Sequence, residues 1–386
     1  MSATSERSAR VAIVGGGLSG LMAALLLEQR GLRDVVLFEA RSVLGGRILS
    51  VDAAGVAVDP AAPGLDRFDL GPTWFWPELQ PQLDRLVGEL GLERFEQFDD
   101  GDLLVERSPR EPPQRLPGYA SAPTSMRLAG GSGSLVAAIG RRLDPGRVLG
   151  GHLVRGLRIA GAHVELDVQA ASGEPVTWRA GHVLLALPPR LAERRIAFDP
   201  PLPPALAQRW RATPTWMAPH AKYVAIYDAP FWRELGLSGA ARSALGPMAE
   251  IHDVSMPGGH AALFGFLGVP ARVRADVAHD VLRSHCRAQL RRLFGDRAAA
   301  PLADALKDWA ADALTATDED LDAGADHAEA PPRAADGGPW RGRVTAIGSE
   351  WSPLFPGYLA GAVDAAERGV RDALAALAST PEETPR

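Results

Sequence analysis

The stretch VAIVGGGLSGLMAALLLEQRGLRDVVLFEA, residues 11–40, constrains the fold more than any other. Arg10–Val14 reads as a compact apolar strand, Leu18–Gln29 as a helix apolar on most faces, and Val35–Phe38 as a second strand. Gly31 ends the helix. Strand, glycine turn, helix and parallel strand make one right-handed βαβ crossover. Gly15, Gly17 and Gly20 form G-x-G-x-x-G inside its turn. The first glycine permits the turn, the second lets backbone approach a pyrophosphate, and the third lets helix and strand pack closely. The helix start then turns free N–H groups and its positive dipole end toward phosphates. Glu39 closes the second strand, where a carboxylate accepts hydrogen bonds from ribose hydroxyls. The pattern in this context predicts a dinucleotide site.

The glycine motif alone does not choose between NAD and FAD. EARSVLGGRILS, residues 39–50, adds Gly45 and Gly46 followed by Arg47. A second backbone approach plus a guanidinium suits a long cofactor lying across the loop. This stretch resembles the flavin-binding N-terminus of the flavin-containing amine oxidase family, which includes the monoamine and polyamine oxidases. Further blocks carry the resemblance in order along most of the chain. DLGPTWF, residues 69–75, resembles the family's D-x-G-x-x-W block beside the flavin. LLALPPRLAERRIAFDPPLPPAL resembles the exit from its second flavin-contacting segment. KYVAIYDAPFW resembles its lysine strand, with the same spacing from Lys222 to Pro-Phe-Trp. GSEWSPLFPGYLAGAVDAAERG, residues 348–369, resembles the C-terminal signature.

The resemblance implies an α/β fold. A Rossmann-like FAD-binding domain of the p-hydroxybenzoate hydroxylase type interleaves with a substrate domain of mixed sheet plus helices. The flavin domain is expected at 1–77, 126–200 and 310–386, and the substrate domain at 78–125 and 201–309. Carried over position by position, Gly15, Gly17, Gly20, Glu39, Arg41, Gly46 and Arg47 are expected to hold the adenosine and pyrophosphate half. Gly71 and Trp74 belong to the block beside the flavin. Val154 fits the position whose backbone meets the adenine. Glu350 fits the acid near the cofactor chain. Leu359 starts the last helix, whose first N–H stabilises negative charge at the N1/O2 edge of the reduced ring.

Lys222 stands out in another way. The chain has two lysines, Lys222 and Lys307, beside 39 arginines. A lysine on an alternating strand can simply snorkel its ammonium to water. The resemblance implies instead that Lys222 reaches flavin N5 through a water. Arg is a poor substitute there, because its wide planar fork resists deprotonation and cannot mimic a compact donor.

Three departures from the family pattern carry weight. Members with a covalent flavin place a cysteine after a Trp in a block resembling DWAADALTATDEDL. Counted from Trp309, that position is Asp318, and the single cysteine, Cys286, lies elsewhere. Non-covalent FAD is therefore expected. Members with an aromatic cage pair two rings. Tyr358 matches one, while the other falls at Glu319, leaving Trp74, Trp351 and Phe355 as candidates for the second wall. Amino-acid oxidases of the wider group place an Arg after the D-x-G-P block, where this chain has Trp74. An apolar ring cannot pair a carboxylate, and burying one unpaired is costly. His220 and His252 show no partner carboxylate at a readable spacing and are expected to be structural or substrate-lining.

A net charge of −6 and a pI near 5.9 argue against nucleic acid and anionic membrane surfaces. No apolar run approaches the roughly 18 residues of a membrane span. The polar leader MSATSERSAR is expected to be frayed. GSGSLVAAIGRRL reads as a helix, GLRIAGAHVELDV as a hairpin turning at Gly161, the proline-rich 108–123 as a surface loop and 275–294 as a long amphipathic helix. A lone Cys286 on that helix fits a core thiol and a cytoplasmic setting.

The expected function is FAD-dependent amine oxidation. Hydride leaves the amine α-carbon for flavin N5, with Lys222 and Tyr358 at the reacting centre. The products are an imine, then an aldehyde or ketone, and, with molecular oxygen, hydrogen peroxide. A carbon–carbon desaturase on the same flavin fold and a non-catalytic flavin-binding module are the alternatives.

Overall fold

The computed structural model describes residues 7–118, 120–322 and 328–379. The first six residues of the polar leader and the closing TPEETPR lie outside them. The chain packs into two compact units. One comprises the described parts of Met1–Gly46, Val136–Trp216 and Ala325–Arg386, the other those of Arg47–Leu135 and Met217–Gly324. These bounds come from packing and are not the same division as one by cofactor and substrate role.

In the first unit the leading strand begins earlier than expected, at Arg7 rather than Arg10, and runs to Val14. It is the parallel partner of both Val35–Phe38 and Pro175–Leu185. The last of these forks. Its first half pairs antiparallel with His163–Gln169, and its second half pairs parallel with Val344–Ala346. Among the described residues the sheet has eight strands. Parallel strands covered on both faces need continuous apolar runs, which VAIV and VVLF supply. The helix Leu18–Gln29 buries every residue from Leu18 to Leu27, so it has no solvent stripe. The closing helix, Leu359–Ser379, lies beside it. The hairpin turning at Gly161 and the helix Gly133–Gly140 form where the sequence places them.

His182 sits on the forked strand opposite Val11. Its Nδ1 lies 3.0 Å from the Gly342 carbonyl and its Nε2 3.1 Å from the Thr345 hydroxyl. The neutral ring satisfies both contacts, by donating to the carbonyl and accepting from the hydroxyl. Burial pushes its pKa down to about 4, against the opposing pull of the Gly342 carbonyl. An unfolded histidine titrates near pH 6.5, so as pH falls below that value the unfolded chain takes up the proton first. Stability is therefore full above about pH 6.5 and declines toward pH 4, by about 2 kcal/mol between pH 7 and pH 5 from this group. In urea melts at those two pH values, His182→Gln is expected to remove about that much of the difference. An undiminished difference would show that His182 is not the acid-sensitive group.

Among the described residues the second unit is built on a seven-stranded mixed sheet. Ala221–Tyr227, second from one edge of it, is buried along its whole length. Tyr223, Ala225 and Tyr227 face the helix His279–Phe294 and Cys286. Val224 and Ile226 face the other way, against Val51, Phe68, Leu70 and Phe264. Two sequence expectations change here. The loop 108–123 contains a short exposed edge strand, Gln114–Leu116. The helix expected over 275–294 starts later, at His279, and runs to Phe294, with a separate short helix, Ala271–Ala275, before it. Arg274 lies in the last turn of the short helix. Its buried guanidinium is bidentate to Asp308 and also donates to the Pro219 carbonyl.

Candidate active site

Each unit presents one cluster of the residues singled out above. In the first unit, Gly15, Gly17 and Gly20 form the turn into Leu18–Gln29. A Cβ on Gly20 would lie 2.0 Å from the Gly15 carbonyl oxygen, so only glycine lets helix and turn meet. Gly17 differs: the nearest protein atom to a Cβ there is 3.8 Å away, the Gly45 carbonyl. The protein leaves space above Gly17, and an isolated bridge to Gly45 backs it. Gly17 is also the residue that caps the helix, with no side-chain hydrogen bond to the first turn. The first N–H groups of a helix have no intrahelical partner, so this end suits an anion.

Glu39 is buried at the end of the second strand. One carboxylate oxygen accepts from the Gly16 N–H at 2.6 Å, the other from the Arg41 N–H at 2.8 Å. Each oxygen keeps a further lone pair for hydroxyl donors. The Glu39 backbone binds the Leu149 carbonyl and the His152 N–H, which brings the start of the Val154 strand to the same corner. Glu350 is buried in a short turn and accepts from the Ser349 hydroxyl at 3.1 Å. Leu359 is the first residue of the closing helix. An open glycine, an uncapped helix end and an anchored carboxylate fit a dinucleotide.

Tyr358 packs against Trp216, with ring centroids 4.7 Å apart and planes inclined by 42°. That is direct ring contact, so the pair does not form two walls around a ligand. Sequence reasoning passed over Trp216. Of its candidates, Trp351 is buried edge-on against Trp210 in the core. Glu319 is exposed in a three-residue turn, Asp318–Asp320, with Asp318 exposed beside it.

The second cluster surrounds Lys222. Its ammonium donates to the Thr73 hydroxyl at 2.5 Å and to the Gly71 carbonyl at 3.1 Å. It also lies 3.8 Å from the centre of the Phe264 ring, with Phe266 at 5.5 Å. The head group is buried with the strand, so the snorkelling alternative fails. Burial lowers its pKa to about 7; Asp69 opposes that shift and Arg127 adds to it. Gly71 and Trp74 come from the DLGPTW segment that supplies Thr73, and Arg47 belongs to the same unit. Trp74 donates its indole N–H to Gln97 at 2.7 Å and packs edge-on to His252 and tilted on Phe264.

His252 does have a carboxylate partner, contrary to expectation: its Nε2 lies 2.7 Å from Glu250. On a strand, residues two apart share a face, so E-I-H carried that signal. His252 stacks on Phe264 at 5.3 Å. His220 is partly buried, and burial together with Arg274 lowers its pKa. No cluster of metal-binding side chains occurs among the described residues, and no helix there is long and apolar enough to cross a membrane.

The family described as flavin containing amine oxidoreductase matches residues 18–118 and 106–374. The chain is 25% identical to flavin-containing amine oxidase B of Cavia porcellus, over 97% of this chain and 87% of that protein. It is 25% identical to putrescine oxidase of Kocuria rosea, over 68% and 76%. The structure of cyclohexylamine oxidase from Brevibacterium oxydans IH-35A superposes with a TM-score of 0.76 at 20% identity, covering 96% of this chain and 99% of that one. A nucleotide turn, a buried strand lysine and a match over most of the chain lead to one assignment: this chain belongs to the family of flavin-containing amine oxidoreductases.

Proposed function

We propose that the chain oxidises amines with a non-covalently held FAD, taking oxygen as acceptor. The observation that carries this reading is Lys222, buried among rings and bound to the segment that resembles the family's flavin-side block. In this reading Gly15, Gly17, Gly20, Glu39, Arg41, Gly46 and Arg47 hold the adenosine and pyrophosphate, Val154 meets the adenine, and Glu350 and Leu359 serve the remaining chain and ring edge. Gly71 and Trp74 line the flavin side, and Lys222 and Tyr358 attend the reacting centre. Residues 1–77, 126–200 and 310–386 form the p-hydroxybenzoate-hydroxylase-type domain, and the rest the substrate domain. A bound flavin supplies the two-electron acceptor for the amine's α C–H, with peroxide as the oxygen product.

The chain's own residues do the rest. Trp74, Phe264 and Phe266 present an apolar surface that disfavours an ammonium and favours the neutral amine. Lys222 keeps a compact N–H donor fixed by Thr73 and Gly71. Trp74, an apolar ring, stands where the amino-acid oxidases of the wider group carry an arginine. Arg127, a buried arginine of this unit, spends its two terminal nitrogens on the Val254 and Ser255 carbonyls. Primary or secondary amines are therefore expected to reduce the flavin faster than the corresponding L-amino acids. Equal rates would mean that another arginine anchors the carboxylate.

Acid precipitation is expected to release all the yellow colour into the supernatant. The position of the family's linking cysteine is Asp318. Cys286 is buried, its thiol pushed up to about 12 by burial and Asp304. Colour retained on the pellet would contradict non-covalent binding. The single buried thiol and acidic chain suit a reducing, cytoplasmic setting.

A further inference from the structure

An amine that is oxidised in its neutral form arrives as an ammonium, because an alkylamine holds its proton up to about pH 10. The apolar face around Lys222 disfavours that charge, so the proton needs an acceptor. Lys222 does not offer one readily: its head group is buried and already donates to Thr73 and Gly71.

A polar pair stands on the same sheet face. The strand Met248–Asp253 pairs with Ala261–Leu267, which pairs on its other side with Ala221–Tyr227. Directly opposed residues project from one face, so the register sets two rows. Glu250, Phe266 and Lys222 form one, and His252, Phe264 and Val224 the next. Phe264 joins the two ends. The Lys222 ammonium lies 3.8 Å from its ring centre, and the His252 imidazole stacks on it at 5.3 Å, inclined by 26°. Trp74 meets the same imidazole edge-on at 5.0 Å.

The pair has the build of a proton acceptor. His252 Nε2 lies 2.7 Å from the Glu250 carboxylate. A carboxylate accepts, so Nε2 carries the hydrogen and Nδ1 keeps its lone pair. Among the described residues Nδ1 has no hydrogen-bond partner. The side chain is 22% exposed, which lets it pass a proton on to water. The hydrogen bond from His252 holds the Glu250 carboxyl below the usual carboxylate range, so the orienting group stays ionised. Few other charges face the pair. Arg242, on the strand Leu237–Ser243, lies 3.6 Å from Glu250 and is exposed. Lys222 stands beyond Phe264, and the Trp74 indole is held by uncharged Gln97. Asp253 alternates to the opposite face, where Trp232 and Arg233 bind it.

We propose that His252 is a catalytic base that takes the proton of the arriving ammonium, with Glu250 as its positioning residue. One N–H bond of the ammonium breaks and an Nδ1–H bond forms. The products are the neutral amine, left on the rings beside Lys222, and an imidazolium paired to Glu250. No electrons move in this step, and the imidazolium returns its proton to water. The proposal rests on the amine-oxidase reading for its substrate.

Kinetics and NMR test it together. Flavin reduction by a low concentration of a primary alkylamine is followed anaerobically across pH. In the unmodified protein the rate is expected to climb to the pH where His252 itself titrates, read from its side-chain 15N signal, and then to level. His252→Gln, or His252→Asn if that does not fold, assigns the signal. In that variant the rate climbs on to the amine's own pKa of about 10. It is lower by at least about tenfold near pH 7.5 and equals the unmodified rate once the amine arrives neutral. A fluorinated alkylamine that is already neutral near pH 7.5 shows no loss. Glu250→Gln moves the kinetic limb and the NMR signal together. A loss of equal size at every pH marks a structural role and overturns the proposal, as does no loss near pH 7.5. Saturating tert-butylamine, which has no α C–H to give up, is expected to shift the His252 signal to that of an imidazolium. An unmoved signal in a protein that amines reduce overturns the base and leaves the oxidase reading standing. A shifted signal in a protein that no amine reduces keeps the proton acceptor and removes the oxidase reading.

Discussion

Lys222→Met is expected to keep the fold and the flavin while slowing flavin reduction by amine, reoxidation by oxygen, or both, by tenfold or more. That is a barrier increase of at least about 1.4 kcal/mol. The fold should survive because the replacement removes a cost. The lysine's pKa falls from its ordinary value to about 7 on folding, so the folded state holds this proton less tightly than the unfolded chain. Stability from this site is full above the unfolded lysine value and declines as pH falls toward 7. Methionine has nearly the same length, carries no charge and packs well against rings, here Phe264 and Phe266. What disappears is a compact donor whose hydrogen bonds to Thr73 and Gly71 fix its position. Stopped-flow traces of each half-reaction check this. Two unchanged rates would reduce Lys222 to a buried strand residue.

Glu39→Lys is expected to strip the flavin. The carboxylate orders the cradle before any ligand arrives, by accepting from the Gly16 and Arg41 N–H groups. A lysine leaves both donors orphaned in a buried corner, at about 1–3 kcal/mol each. It also sets an ammonium where ribose hydroxyls need an acceptor. Retention should fall at least tenfold, read as the ratio of flavin to protein absorbance after gel filtration. Glu39→Gln, which keeps one acceptor, should fall between the two. Occupancy equal to that of the unmodified protein would remove Glu39 from the ribose site.

How much of this was legible in the sequence follows from how local each feature is. The nucleotide turn depends on glycines within six residues and on apolar runs that need no distant partner, and Leu18–Gln29 and Val35–Phe38 form at the expected residues. The helix expected over 275–294 starts at His279 instead, and the buried ion pair of Arg274 with Asp308, just before it, joins residues 34 apart and leaves no local signal. The lysine itself was legible as an oddity in an arginine-rich chain. Its partners were not, because Thr73 and Gly71 lie about 150 residues earlier. The same holds for Trp216, which meets Tyr358 across 142 residues of chain. Glu250 was within reach, two residues from His252, once the strand's alternation was applied.

The central claim is that this site oxidises amines, and anaerobic mixing of the purified yellow protein with a panel of amines tests it most directly. Simple alkyl and cyclic primary amines, a diamine and the matching L-amino acids form the panel, followed at the flavin's visible absorbance. The predicted result is bleaching by at least one of the amines, release of the corresponding aldehyde or ketone, and return of the colour with peroxide when oxygen is admitted. A flavin that stays oxidised with every amine, in protein that chemical reductant bleaches normally, would contradict it.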